Sequence, residues 1–150
     1  MPPGLLVQFK WGGRCLTIEP KTCKATYSNP CPLVLGSCAD NISHWTERPQ
    51  HITHGTSSAN AINIDCKRQT TGAVAKLLGS SPSSIVWKPT EVGVVGSGQL
   101  EAGGKLQLCL NNGEGKPEPP CGSDKALPAQ IKLAPCINVS TTSGWVRIVV

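Results

Sequence analysis

The chain of 150 residues has few aromatic side chains and few charges for its length. Phe and Tyr occur once each beside four Trp, charged residues make up 15%, and 39% of the residues are hydrophobic. A disordered chain would combine low hydrophobicity with high net charge, so this composition argues against disorder. The 16 Gly and 13 Pro are spread along the chain, which favours a turn-rich globular structure, and the length fits a single domain over residues 1–150.

Long apolar segments are also missing. No apolar run approaches the roughly 18 residues of a membrane-spanning helix, so membrane insertion is not expected. Residues 1–4 lack the charged start and apolar stretch of a secretory signal. The eight cysteines, an even number, nevertheless favour disulfides and an oxidising compartment, with Asn41 and Asn138 opening two glycosylation triplets as weak support. The protein is therefore predicted to be secreted or extracellular, with any signal already removed.

The positive charge is not concentrated anywhere. The net charge is +5, but the 14 Lys and Arg are scattered and no run is longer than Lys67-Arg68. Nucleic-acid binding usually needs a basic patch or stripe, so nucleic acid is not an expected partner.

Motifs of catalysis and of metal binding are absent from the sequence. It has no Gly-x-Ser-x-Gly, no His-Glu-x-x-His and no phosphate loop, and the glycine-rich VGVVGSGQ (92–99) is interpreted as a turn between strands. His44 precedes His51 and His54, but if HIT is a strand the latter two face opposite sides. No cysteine pair has the Cys-x2-Cys spacing of a zinc cluster. We expect no enzymatic activity, no cofactor and no metal.

One sequence pattern occurs three times along the chain. An alternating apolar run leads through a polar loop to a tryptophan. The three copies are LVLGSCADNISHW (33–45), AKLLGSSPSSIVW (75–87) and IKLAPCINVSTTSGW (131–145). A turn and an alternating strand precede each copy, as GGRCLTIEP (12–20), SANAINIDC (58–66) and GGKLQLCLN (103–111).

These patterns predict three units of four strands. A further strand opens each unit, at LLVQFK (5–10), HIT (51–53) and GQLE (98–101), and a tryptophan opens each fourth strand. The predicted fold is all-β, a β-trefoil of three four-stranded repeats covering about 4–48, 49–92 and 93–150. A three-bladed propeller is the rival, although propellers typically have four or more blades. Trp45, Trp87 and Trp145 are expected in the core, because burying an indole stabilises strongly.

In these repeats the chain resembles the ricin B-type lectin family. The motifs that carry the resemblance are GGRCLTIEP, LVLGSC and SHW in unit one. They recur as AKLLGS with IVW in unit two and as IKLAPC with SGW in unit three. The resemblance implies disulfides Cys15–Cys38 and Cys109–Cys136. Unit two has Ala61 and Ser80 instead. The remaining cysteines suggest a local Cys23–Cys31 bridge and, by elimination, Cys66–Cys121, but other pairings stay open.

The residues that bind sugar in this family are not retained. None of the three tryptophans is preceded by the family's Gln-x. The resemblance places an acid on the second strand, where this chain has Thr17, Asn63, and Asn111 or Leu108. It places a stacking aromatic on the third strand, where this chain has Gly36, Leu78 and Ala134. No unit offers a complete pocket of the family's kind.

Two groups of residues could form a different sugar site. One is Tyr27 with Asp40 and Asn41, and the other is Asn63 with Asp65. Tyr27 could instead pack over its own disulfide loop. The predicted function is carbohydrate binding at a non-standard site, with glycans or glycoproteins as partners.

The alternative function is binding of a protein such as a protease. The segment 111–129 is rich in proline, includes Cys121, and offers Lys116 or Lys125 to a trypsin-like pocket. It could equally be a tolerated insertion. A third possibility is a structural module whose function depends on a partner.

Overall fold

A computed structural model of the chain describes residues 4–19, 31–49, 51–64, 74–79, 87–90, 93–96, 108–111, 131–135 and 145–150. Their regular structure is β-strand apart from one 3-10 turn, Asn41–Ser43. The strands are β1 (Leu5–Trp11), β2 (Arg14–Ile18), β3 (Cys31–Gly36), β4 (Trp45–Glu47), β5 (Ile52–His54), β6 (Asn60–Ile64), β7 (Ala75–Gly79), β8 (Trp87–Thr90), β9 (Gly93–Gly96), β10 (Leu108–Asn111), β11 (Lys132–Pro135) and β12 (Val146–Val149). The all-β class is confirmed. Within these ranges no helix is long and apolar enough to cross a membrane.

The sequence of β1 explains why the first hairpin forms. Val7 and Phe9 are fully buried, while Gln8 and Lys10 on the opposite face are partly exposed, which is the period of two that a half-buried strand requires. The turn to β2 has Gly12 and Gly13 at φ of 62° and 122°. Glycine adopts these positive values without steric cost, so the two-residue turn folds the chain back directly.

Seven strands form a closed antiparallel ring, in the order β1-β2-β3-β7-β6-β5-β4 and back to β1. Closure is made by β1 and β4, where Val7 lies opposite Trp45. Strand β12 adds to the outside of the ring by pairing with β1. The strands β8, β9, β10 and β11 form a second antiparallel sheet, in the order β11-β10-β9-β8.

The prediction of a β-trefoil of three four-stranded repeats is therefore wrong. The hairpins β2–β3 and β6–β7, which a trefoil would keep as caps, are members of the closed ring. They join through β3 and β7, where Cys31 lies opposite Leu77 and Pro32 opposite Lys76. A local sequence pattern predicts which strands form hairpins, but the pairing between hairpins depends on contacts that no local pattern encodes.

The core was predicted more successfully. Trp45, Trp87 and Trp145 are all buried, as expected, and they pack with apolar residues of both sheets. Each indole Nε1 donates a hydrogen bond to a strand carbonyl, Trp45 to Leu16 at 2.9 Å, Trp87 to Ile62 at 2.8 Å and Trp145 to Leu110 at 2.8 Å. The indole polar group is thus satisfied in the interior. The repeat boundaries stay a prediction.

Most of the predicted strands are present, with small shifts at their ends. Trp45 and Trp87 open β4 and β8, as predicted, and Trp145 stands one residue before β12. The interpretation of VGVVGSGQ as a turn is wrong for Gly93–Gly96, which form β9. The predicted strand at 98–101 lies outside the described residues.

Candidate functional site

The segment between β3 and β4, residues 37–44, is here called the cystine loop. Its Cys38 forms a disulfide with Cys15 of β2, with a Cα–Cα distance of 5.0 Å. This bridge confirms the pairing that the family resemblance implied. Because Cys15 is fully buried, the bridge fixes the start of the loop to a buried side chain of β2.

Asp40 and Asn41 stand exposed at the tip of the cystine loop. Asp40 caps the 3-10 turn, and its Oδ1 accepts a hydrogen bond from the amide of Ile42 at 3.2 Å. The backbone carbonyl of Asn41 accepts from the amide of His44 at 3.1 Å. Two of the predicted site residues are therefore brought together, with a carboxylate and an amide on one ordered turn.

Gln8 and Ser43 hold the cystine loop in place by hydrogen bonds. The Gln8 side-chain amide donates to the carbonyl of Cys38 at 2.6 Å and to Ser43 Oγ at 2.7 Å. The Ser43 hydroxyl donates to the carbonyl of Asp40 at 2.6 Å and is completely buried. Gln8 was not among the site residues predicted from the sequence. Two sequence features could have indicated it. Gln8 is the one uncharged polar residue of the apolar strand LLVQFKW, and the motif ending in Trp45 lacks the glutamine that the lectin family has there.

His54 of β5 supports the other side of the loop. Its Nε2 lies 3.0 Å from the carbonyl of Ile42, and since a carbonyl can only accept, Nε2 carries the proton. The ring packs edge-on against Trp45, with centroids 4.9 Å apart. Burial lowers the pKa of His54 below its ordinary value, and the hydrogen bond with Ile42 opposes part of that effect.

The other candidate residues are not part of this loop. Asn63 lies on β6 and is buried, and its Oδ1 accepts from the amide of Ile64 at 2.9 Å. Its side chain therefore faces the protein rather than a ligand. Tyr27 and Asp65 lie outside the described residues, and so does the segment 112–129 with Lys116 and Lys125.

The family's standard pocket has no room at unit one. A Cβ atom placed on Gly36 would stand 2.7 Å from Thr17 Oγ1 and 3.1 Å from its Cγ2. Thr17 is buried, so an aromatic ring could not take the place of Gly36 without displacing it. The two positions that the resemblance assigned to sugar binding instead pack against each other.

An exposed aromatic ring is missing from the part of the chain that the structure describes. Phe9 and the three core tryptophans are buried, and Trp11 is half-buried, edge-on to Trp145 with centroids 5.1 Å apart. The described residues also hold no group of three or more His, Cys, Asp or Glu that could bind a metal ion. The chemistry available at the cystine loop is therefore hydrogen bonding.

One further cysteine of the described residues is known to form a disulfide. Cys31 is also disulfide-bonded. The pairings of Cys31 with Cys23, of Cys109 with Cys136 and of Cys66 with Cys121 remain predictions.

Comparison with known proteins finds no matching family model, no similar curated protein and no similar solved structure. The likeness to ricin B-type lectins therefore depends only on the motifs quoted above.

Proposed function

We propose that this is a secreted, disulfide-bonded carbohydrate-binding protein whose cystine loop is part of the sugar site. The observation that carries the proposal is the exposed pair Asp40–Asn41, held on a loop that is fixed at several points. A carboxylate accepts hydrogen bonds from two adjacent sugar hydroxyls, and an amide both donates and accepts.

Rigidity of the loop favours binding by hydrogen bonds alone. Each ordered group loses less entropy when it meets a ligand, so preorganisation raises affinity without new contacts. The Cys15–Cys38 bridge holds Cys38, the Gln8 amide holds Cys38 and Ser43, and the His54 imidazole holds Ile42. A site of this kind is suited to a small polar ligand that matches a fixed pattern of donors and acceptors.

A single exposed carboxylate and amide give a weak site by themselves. Sugar sites generally add an aromatic face for the apolar side of the ring, and in this proposal that face comes from Tyr27. Weak single-site affinity is compatible with recognition of clustered glycans, since several linked sites bind far more tightly than one.

The test is a glycan array probed with the oxidised protein at about 0.05 M and about 0.5 M salt, a range that spans strong and weak screening. Asp40→Asn removes the carboxylate but keeps an oxygen that can cap the turn, so the loop should stay folded. We expect this variant and Asn41→Ala each to weaken a salt-resistant hit by about tenfold or more. Ser58→Ala, an exposed polar change on the β5–β6 turn, is the control and should bind as the parent does.

Two results would count against the proposal. Hits restricted to sulfated or acidic glycans that vanish in high salt would show non-specific attraction by the net charge of +5 rather than a sugar site. An array without hits would contradict carbohydrate binding and favour the protein-binding alternative at 111–129. A panel of proteases is then the next assay.

A further inference from the structure

Strand β12 exposes apolar side chains on both of its faces. The exposed fractions are 60% for Val146, 37% for Ile148, 54% for Val149 and 57% for Val150. Isolated exposed apolar residues are ordinary, but four of them within five consecutive positions indicate an interaction surface.

Within the described part of the chain, one backbone edge of β12 has no neighbouring strand. Among the strands that the structure describes, β12 pairs only with β1. The amide of Val150 donates to the carbonyl of Leu6 at 2.9 Å, so the hydrogen-bonded pairs of this ladder are Leu6 with Val150, and then every second residue. It follows that Val146 and Ile148 direct their backbone groups to β1, whereas Arg147 and Val149 direct theirs to the open edge.

The usual protection of an open edge is missing. Natural edge strands commonly carry an unpaired charge, a proline or a bulge that prevents another strand from pairing. The one charge of β12 is Arg147, and its guanidinium Nε is hydrogen-bonded to Glu47 Oε1 in an ion pair. Because the guanidinium already has an anionic partner in its own chain, Arg147 is not free to pair with an acidic peptide.

We propose that the partner of β12 is the β12 strand of a second copy of this chain. The two strands run antiparallel across a two-fold axis at Ile148, and the two rings become one continuous sheet. Each Arg147 then lies opposite Val149 of the other copy. These are the residues whose amides and carbonyls face outward, so all four groups on each strand find partners.

The charge of Arg147 disfavours one neighbouring register. Sliding the strands by one hydrogen-bonded step toward the amino end would place Arg147 opposite Arg147, and like charges in direct opposition are destabilising. In the chosen register Ile148 meets its own copy at a non-hydrogen-bonded position, where side chains approach most closely. Val146 and Val150 flank it on the same face.

The size of the surface sets the strength of the dimer. A stable interface buries about 800 Å² on each partner, and one four-residue strand offers less than that. The dimer is therefore weak and depends on protein concentration.

Sedimentation equilibrium across roughly three decades of concentration tests the proposal, with Ile148→Lys as the diagnostic variant. It places two ammonium groups against each other on the axis, and we expect dimer affinity to fall by about tenfold or more. The control is Ser58→Lys, which adds the same charge at an exposed side chain on the β5–β6 turn. That control should dimerise as the parent does.

Amide hydrogen exchange of the unmutated protein supplies a second readout that needs no variant. At high concentration exchange should slow at Arg147 and Val149, while Val146 and Ile148 are already protected in the monomer. A parent protein that stays monomeric at every concentration overturns the proposal. So does a dimer that is equally affected by both lysine variants, or one in which exchange at Arg147 and Val149 is unchanged.

Discussion

His54 shows how one buried side chain makes the fold sensitive to acid. Its imidazole is packed against Trp45 and bonded to the carbonyl of Ile42, and burial lowers its pKa from 6.5. A lowered pKa in the folded state means that folding favours the neutral ring. The stability that this provides is complete above pH 6.5 and is lost as pH falls from there through the folded-state pKa.

We therefore predict that the free energy of unfolding decreases between pH 7.5 and pH 5, measured by urea denaturation at each pH. The variant His54→Gln has no titrating group at this position, so the decrease should become smaller. Ser58→Ala, an exposed change on the turn after β5, leaves His54 in place and should keep the parent's pH dependence. An unchanged dependence in His54→Gln would contradict the assignment.

At the scale of the element, the cystine loop is the segment whose order depends most on one bond. The Cys15–Cys38 bridge closes a loop with a sequence separation of 23. Restricting an unfolded chain by a loop of this length is worth about 3 kcal/mol in the chain-entropy model. We predict that Cys15→Ala with Cys38→Ala lowers the free energy of unfolding by about that amount.

The single variants separate the contribution of the disulfide bond to the free energy of unfolding from that of side-chain packing. Either Cys15→Ala or Cys38→Ala breaks the same bond, so each should lose nearly as much as the double variant. Purely additive losses, measured by denaturant unfolding under non-reducing conditions, would mean that packing around the sulfurs matters more than the bridge.

The elements also show how far the sequence can be read. The alternation of buried and partly exposed residues around Val7 and Phe9 predicts β1, and the paired glycines after it predict the first hairpin. The motif ending in Trp45 correctly predicts both a buried indole and a polar loop before it. These features are local, and residue periodicity and turn chemistry determine them.

What the sequence does not reveal is which distant elements meet. Cys31 lies opposite Leu77 where the two hairpins of the ring join, yet neither residue carries a signal for the other. The same limit applies to the site. Asp40 and Asn41 could be proposed from an exposed polar loop, whereas Gln8 is 30 residues from the Cys38 carbonyl it bonds. The burial of Asn63 likewise follows from its position on β6 in the ring.

At the scale of the whole molecule, β1 is the strand on which the two ends of the described chain converge. It pairs with β2, with β4 at the closure of the ring, and with β12 outside it. The ring is complete without β12, so this last strand is held by its ladder to β1 and by one ion pair. That pair joins Arg147 of β12 to Glu47 of β4, across β1 and 100 residues apart.

Because Arg147 is 40% exposed, solvent screens this ion pair and its contribution is small. We predict a coupling free energy of about 0.2–1 kcal/mol from a double-mutant cycle of Glu47→Gln and Arg147→Gln. The cycle is measured by urea unfolding at protein concentrations low enough to keep the chain monomeric. The coupling should shrink between about 0.05 M and about 0.5 M salt, as expected for a partly exposed pair. A coupling of zero at low salt would mean that the β1 ladder alone holds β12 in place, and a coupling insensitive to salt would mean that the pair is shielded from solvent.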